Sequence, residues 1–386
     1  MRQKTSKTHM NTGKVRASNF ELLRIFSMFL IVLNHLCQHG IWFRLDAEIT
    51  TNLCISNCLL GWTGTLGNWL FVLTSGYFVS KSEFSWKKVF KLWSQVFFYS
   101  VIIGVILYLS QTPLIGFYNE DYIELGFFEA AKPATLIDLA QSFAPTLFGN
   151  NWFASSYLLF YCFTPFLNES LKVLDEKKHK HLVILMAFAG TVIYMIYGQR
   201  LFDEGNLFYF ILGYYVASYI RIYDPKFLKN NKINVIGCVT LSTCFILWIL
   251  VVLYYRDKVP FIANHYVQFF SYPFAMTRFP SLLNAIFVFS IFHNLKIENN
   301  KFINTLAGTT FGIYLIHENQ LLNKVIWHKL FQFDLFLDSK FLFAYMIFAI
   351  VIVFLVCAGI DWLRQRYVEK PLMNLIFSKK QKEIKA

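Results

Sequence analysis

Long apolar runs recur along this chain from residue 19 to residue 363, and they bound what it can fold into more tightly than any other feature. A bilayer core about 30 Å thick takes roughly 20 consecutive, mostly apolar residues per helix. Runs of that kind, closed by charged or turn residues, lie at 19–37, 57–79, 90–110, 152–171, 181–199, 206–222, 233–254, 270–294, 303–326 and 341–363. Only 15% of the residues are charged and 56% are hydrophobic, where a soluble domain carries about a quarter charged residues. Such a chain cannot cover its own surface with polar groups. The expectation is an all-α, polytopic integral membrane protein of about ten transmembrane helices. Two runs are the least regular: 57–79 holds four glycines, and 270–294 has Pro273, Arg278 and Pro280 near its start.

Orientation follows from the Lys and Arg residues, because cytoplasmic loops carry the excess. Placing the N-terminus inside puts 26 of the 36 on the cytoplasmic side and 9 outside, leaving Arg24 within the first span. Both termini are therefore expected in the cytoplasm of a multi-pass cell-membrane protein. The net charge of +13 is accounted for by these inner clusters, so nucleic acid is not an expected partner; the bilayer is. Residues 1–17 read as a disordered basic tail, 18–370 as one membrane domain and 371–386 as a second basic tail. The basic start resembles a signal peptide, but Glu21 and Arg24 interrupt its apolar run and no small-residue cleavage site follows, so it reads as a retained helix. The longest external segment, 111–151, is acidic. Of the seven cysteines, only Cys54 and Cys58 are placed to pair; the others read as buried apolar groups.

The first span, NFELLRIFSMFLIVLNHLCQHG, carries an arginine where insertion at the bilayer centre costs ~2.5–3.5 kcal/mol. Arg24 could snorkel to the interface beside Glu21 one turn back. His35 gives it a second reading. Eleven residues at 100° each leave about 20° of net rotation, so Arg24 and His35 share a face and stand roughly 16 Å apart along the axis. Glu21, Arg24, His35 and His39 form a polar stripe, and a polar stripe within a membrane faces a cavity rather than lipid. His35 alone would read as a helix-to-helix hydrogen bond; in phase with Arg24 it reads as functional.

These residues carry a resemblance. Arg, ten residues, then His in the first span is similar to the signature of the membrane acyltransferase-3 family. GTLGNWLFVLTSGYFV at 64–79, NWFASSYLLFYCFTPFLN at 151–168, FGIYLIHEN at 311–319 and YVEKPL at 367–372 follow in the family's order. The likeness spans nearly the whole chain. One departure is Glu21-Leu22-Leu23-Arg24, where the family often carries Asp-Gly-Leu-Arg; the charge is kept and the glycine is not. The resemblance implies acylation of a cell-surface or lipid-linked glycan, with acetyl-CoA or a related acyl-CoA as donor and no metal.

The residues suit that chemistry. Moving an acyl group from a thioester to a sugar hydroxyl needs a base, and a histidine with an ordinary pKa of about 6.5 is suited to it near neutral pH. His35 is the candidate base, Arg24 the contact for the anionic donor on the cytoplasmic side, and Glu21 the partner of Arg24. Tyr314, His317 and Glu318, with Asn319 beyond, could form an acceptor patch, against the plainer reading of an interfacial tyrosine and a helix-to-helix hydrogen bond. Asn151 and Trp152, after Asn150, could stack a sugar, although Trp is ordinarily an interface anchor. Ser75 and Tyr77 could admit the donor's pantetheine arm, against small-residue helix packing. His9, His179, His181, His265, His293 and His328 read as tail or loop-edge residues. His35, Cys37 and His39 point to different faces, so local spacing suggests no metal set. No phosphate-binding loop and no Gly-x-Ser-x-Gly elbow is present.

The competing class is a membrane carrier or flippase, which also uses many helices and buried ionisable groups. An integral scaffold of a glycan-assembly complex is a third reading. The expected topology has a direct check: a periplasm-dependent phosphatase fused after residue 386 is inactive and one inserted in 111–151 is active. The reverse pattern overturns the orientation.

Overall fold

A backbone in hydrocarbon must satisfy its own hydrogen bonds, and the apolar runs of this chain do so as helices. The computed structural model describes residues 16–41, 50–114, 132–148, 151–193, 206–264 and 278–383. Over them the protein is all-α apart from a two-residue antiparallel ladder, Pro113 with Pro133 and Leu114 with Lys132. The helices that position the site are α1 (Ser18–His35), α2 (Thr51–Val79), α3 (Trp86–Ser110), α4 (Leu136–Ser142), α5 (Trp152–Val173), α6 (Glu176–Ala187), α7 (Asn206–Tyr223), α8 (Asn231–Tyr255), α9 (Phe279–His293), α10 (Lys301–Ala307), α11 (Thr310–His317), α12 (Leu342–Arg364) and α13 (Lys370–Glu383). Most expected runs recur as helices with ends moved by a few residues. The runs at 181–199 and 270–294, the segment 111–151 and the tail 1–17 lie partly outside the described residues.

Among the described residues, four helices are long and apolar enough to cross a membrane: Ser18–Ile41, Trp86–Ser110, Asn231–Tyr255 and Leu342–Phe377. Leu207–Tyr223 and Phe279–His293 are apolar but shorter. The 29 residues of α2 give it a length of about 43 Å at 1.5 Å per residue, yet it is not among the four. Along it lie Asn57, Thr63, Thr74 and Ser75, all of them buried. These polar side chains lower its hydropathy, and burial among neighbouring helices is what makes them tolerable.

Packing explains the glycines of α2. A Cβ at Gly67 would meet the Ser27 carbonyl and Ile31 of α1, and one at Gly76 would meet the Tyr214 backbone of α7. The missing side chains let both neighbours approach α2 closely. Trp69, Leu70, Val72 and Leu73 between them are fully buried. The start of α1 is tied at its other side: the Ser18 hydroxyl donates to Asn304 Oδ1 at 3.0 Å, and Asn19 Nδ2 donates to the Phe292 carbonyl at 3.1 Å. Arg16, the first residue of the expected tail to be described, donates to the Asn304 carbonyl at 2.8 Å. At the other end, α13 makes the start of the expected basic tail helical through Glu383.

The run at 303–326 is not one helix. It divides into α10, α11 and a turn at Leu322–Lys324. Gly308 caps α10, and past His317 the Asn319 side chain accepts from the Leu321 and Leu322 amides at 3.1 and 3.3 Å. That carboxamide offers the backbone an alternative to the helix, which ends there. The Cys54 and Cys58 thiols on α2 are both free, so the one pairing that the sequence left open does not form.

A buried ionic network joins α3 to the C-terminal helices. Asp361 is fully buried and accepts from Tyr99 Oη at 2.8 Å, Gln95 Nε2 at 3.0 Å and Arg364 Nε at 2.8 Å. Arg364 Nη2 donates to Glu369 at 2.9 Å, and Lys91 Nζ lies 2.6 Å from the same carboxylate. A Cβ at Gly312 would collide with Asp361, so the network also seats α11. Removing one partner of a buried pair costs roughly 3–5 kcal/mol because the other charge stays buried. Asp361→Ala is therefore expected to lower the apparent Tm of the detergent-solubilised protein, and Asp361→Asn, which keeps an acceptor, to lower it less. An unchanged Tm in Asp361→Ala removes the network from the account of stability.

Candidate functional site

Two polar clusters lie on α1, one near each end. The one near its C-terminal end begins at His35, the last α-helical residue before the chain widens into a π turn at Leu36–Ile41. π turns within helices recur at functional sites, and this one carries His39. Facing them is the broken end of α11, with His317 as its last residue and Glu318 as its C-cap. His35 Nδ1 stands 2.9 Å from His317 Nε2 and 3.0 Å from Glu318 Oε2. His39 Nε2 stands 3.4 Å from Glu318 Oε1 and 3.3 Å from Oε2.

Proton positions follow from one contact. His317 Nδ1 lies 2.6 Å from the Ile313 carbonyl, and a carbonyl only accepts, so Nδ1 carries the proton. In the neutral ring, His317 Nε2 is then a bare acceptor. The 2.9 Å bond therefore has His35 Nδ1 as donor, which leaves His35 Nε2 with the lone pair. Glu318 Oε2 sits within ion-pair reach of His35 but off the line of a hydrogen bond, and it accepts none although its surface is buried. The carboxylate is placed to stabilise positive charge on His35.

Around this cluster the structure gathers some of the expected acceptor residues and separates others. Tyr314 is buried one turn before His317, their rings 6.4 Å apart. It packs on Phe153, at 5.7 Å between centroids. Trp152 is 38% exposed, and it is Phe153, beside it, that packs on Tyr314. Asn151 is buried, with its Oδ1 accepting no hydrogen bond. Asn150 lies outside the described residues.

The second cluster, near the start of α1, is built from α1, α2, α7 and α9. Arg24 Nη1 is 3.3 Å from Glu21 Oε2, the pair expected from their spacing. The Arg24 guanidinium lies 5.7 Å from the centre of the Phe78 ring, and that of Arg221 lies 5.6 Å from the same ring and 4.7 Å from Tyr77. Arg221 also donates to the Tyr77 carbonyl. Tyr77 Oη bonds His293 Nε2 at 3.2 Å. Ser75, two residues before Tyr77, is turned about 200° from it around α2 and is buried. Tyr77 thus belongs to this second cluster and Ser75 faces elsewhere.

His293, expected as a loop-edge group, sits within the last turn of α9, and Arg221 sits within that of α7. His179, also expected at an edge, is fully buried with Nε2 3.0 Å from the Tyr215 carbonyl. A sequence signal for Arg221 exists, a cation closing an apolar run beside tyrosines. His35, His317 and Glu318 also place one ligand-type atom each within 4.8 Å of one another. Spacing within the first span could not reveal this group, because its members lie 282 residues apart.

No curated protein and no solved structure matches the chain. Residues 18–362 match the model of the acyltransferase-3 family, described as an acyltransferase domain, and the match takes in both clusters. The chain is a member of the acyltransferase-3 family, and its general activity is acyl transfer.

Proposed function

We propose that this protein transfers an acyl group, acetyl in the leading case, from a coenzyme A thioester to a hydroxyl of a cell-surface or lipid-linked glycan. The observation that carries the proposal is the hydrogen-bonded state of His35, whose Nδ1 is held by His317 while Nε2 keeps its lone pair. A histidine so held is a ready general base. In the proposed reaction, His35 Nε2 takes the proton of the acceptor hydroxyl as its oxygen forms a bond to the thioester carbonyl carbon. The carbon-sulfur bond then breaks, and the coenzyme A thiolate leaves and takes up a proton. The Glu318 carboxylate, 3.0 Å from His35 Nδ1, stabilises the imidazolium formed on the way, as a carboxylate behind a catalytic histidine does.

The two ends of α1 suit the two substrates. Arg24 and Arg221, about one-third exposed and partly buried respectively, offer guanidinium groups to the phosphates of a donor arriving from the cytoplasm. Glu21 holds Arg24, and Tyr77 lies between them and His293. At the outer end Tyr314, His317, Asn151 and Trp152 are the proposed acceptor side, with Phe153 behind Tyr314. The setting is a multi-pass protein of the cell membrane with about ten spans and both termini inside.

The break between α11 and Leu322 is the one feature that favours the carrier reading, since transporters place polar sites at broken helices. Turnover separates the two. Membranes holding the protein are expected to release coenzyme A from acetyl-CoA in step with acylation of added glycan. His35→Ala lowers that rate roughly 10²–10⁴-fold, and His317→Ala roughly 10²-fold, the cost of a misplaced base. Arg24→Ala and Arg221→Ala raise KM for acetyl-CoA more than they change kcat. Wild-type turnover in a correctly inserted His35→Ala variant overturns the role of His35, and no turnover with any acceptor favours a carrier.

A further inference from the structure

We propose that His35, His317 and Glu318 form a binding site for a transition-metal dication of the zinc type, and that the bound ion switches acyl transfer off. Nothing in the family's activity requires such an ion. The site follows from three observations on the His35 cluster. Its three donor atoms, two imidazole nitrogens and one carboxylate oxygen, lie within 4.8 Å of one another. Two histidines and one glutamate are a donor set that zinc accepts, with a fourth position left open.

The second observation is the state of those atoms. Glu318 Oε2 is buried and accepts no hydrogen bond, so a lone pair points into the cluster without a donor. A buried oxygen of that kind is costly unless something positive meets it. His317 Nδ1 donates to the Ile313 carbonyl at 2.6 Å, which leaves Nε2 bare and turns it toward the other two atoms. A metal-bound histidine is held by its second nitrogen in this way. The third observation is His39, whose Nε2 lies 3.4 Å from Glu318 Oε1 and 3.3 Å from Oε2; it steadies the carboxylate while Oε2 accepts no hydrogen bond.

Two of the three spacings within the cluster are close to those of a coordination shell. His35 Nδ1 lies 2.9 Å from His317 Nε2 and 3.0 Å from Glu318 Oε2. Ligands at about 2.1 Å in a tetrahedron stand about 3.4 Å apart, so these two pairs need to part by a few tenths of an ångström. The widened π turn that carries His39 and the end of α11 are the places where that adjustment falls. Imidazole nitrogen with a single carboxylate selects zinc, cobalt, nickel or copper over magnesium or calcium, which prefer oxygen shells.

Inhibition follows from the tautomer and rests on the proposed role of His35 as the base. An ion bound at Nδ1 displaces the proton from that nitrogen, and the neutral ring then carries its proton on Nε2. That is the atom whose lone pair the acceptor hydroxyl needs. Metal occupancy and base catalysis by His35 thus exclude one another.

The test uses the full chain, purified in detergent without a polyhistidine tag. After equilibration with Zn²⁺ and removal of free metal, elemental analysis is expected to find one ion per chain. Co²⁺ in its place gives the visible bands of a tetrahedral site, Zn²⁺ raises Tm because the ion joins α1 to α11, and Mg²⁺ does neither. Glu318→Gln, nearly the same shape, and His317→Ala lose the ion and the Tm shift, while His181→Ala, an exposed histidine of α6, keeps both. No bound ion in the wild type, or equal binding by Glu318→Gln and His317→Ala, overturns the site and leaves an adventitious ion only. Acyl transfer is expected to fall with occupancy and to return with a chelator. One ion per chain with undiminished or increased transfer leaves the site standing and overturns both the inhibition and His35 as base. Transfer that depends on His35 in a protein that binds no ion overturns the metal site alone.

Discussion

The approach of α1 to α2 at Gly67, close enough that a Cβ there would meet the Ser27 carbonyl, decides where the polar groups of α1 can go. A helix in lipid can present polar side chains only toward protein or a water-filled cavity. With one side of α1 pressed on α2 and its start tied to Asn304 and the end of α9, the stripe of Glu21, Arg24, His35 and His39 is turned inward. Both clusters hang on this placement. α7 approaches the same central helix at Gly76, and that brings Arg221 to the Phe78 and Tyr77 rings.

Charge buried in a protein interior needs a partner, and the molecule meets this demand in two different ways. Around Asp361 the demand is met in full: Arg364, Tyr99, Gln95 and Gln365 all donate to its carboxylate. That network holds α3, α11 and α12 in register. Around Glu318 the partners are imidazoles, and one oxygen is left without a hydrogen bond. The contrast separates a carboxylate used to hold helices together from one whose surroundings leave it free to respond to a charge that comes and goes. An imidazolium formed at His35 is such a charge.

Helices were legible because apolar runs of membrane length have few other ways to satisfy their backbone. Runs such as 90–110 and 233–254 became helices with ends shifted by only a few residues. The Arg24 and His35 pair was legible for a geometric reason, since eleven residues return a helix almost to the same face. The division of 303–326 was less visible, because Gly308 and Asn319 are compatible with a continuous run until their caps are seen. Residues that meet across the bundle were not legible at all: the contact of His35 with His317 spans 282 residues, and helical phase says nothing over that distance. Arg221 was absorbed into a charge count that treats every cation near a helix end alike.

Under the proposed function, the separation of the two clusters becomes the central physical problem of the enzyme. Arg24 and His35 stand roughly 16 Å apart on one helix, so a donor held by its phosphates at the inner end must extend its acyl group along α1 to reach His35. A rigid α1 is what keeps that distance fixed. It is packed along α2, where Gly67 meets Ser27 and Ile31 and Gly64 meets Asn34, between the two levels. Binding energy gathered from the phosphates can then be spent on placing the thioester against the base, which is how remote contacts raise a chemical rate. The same geometry keeps the two arginines away from His35, where a nearby cation would oppose formation of the imidazolium. Distance along one helix therefore serves two ends, separating the group that binds the donor from the group that accepts the proton.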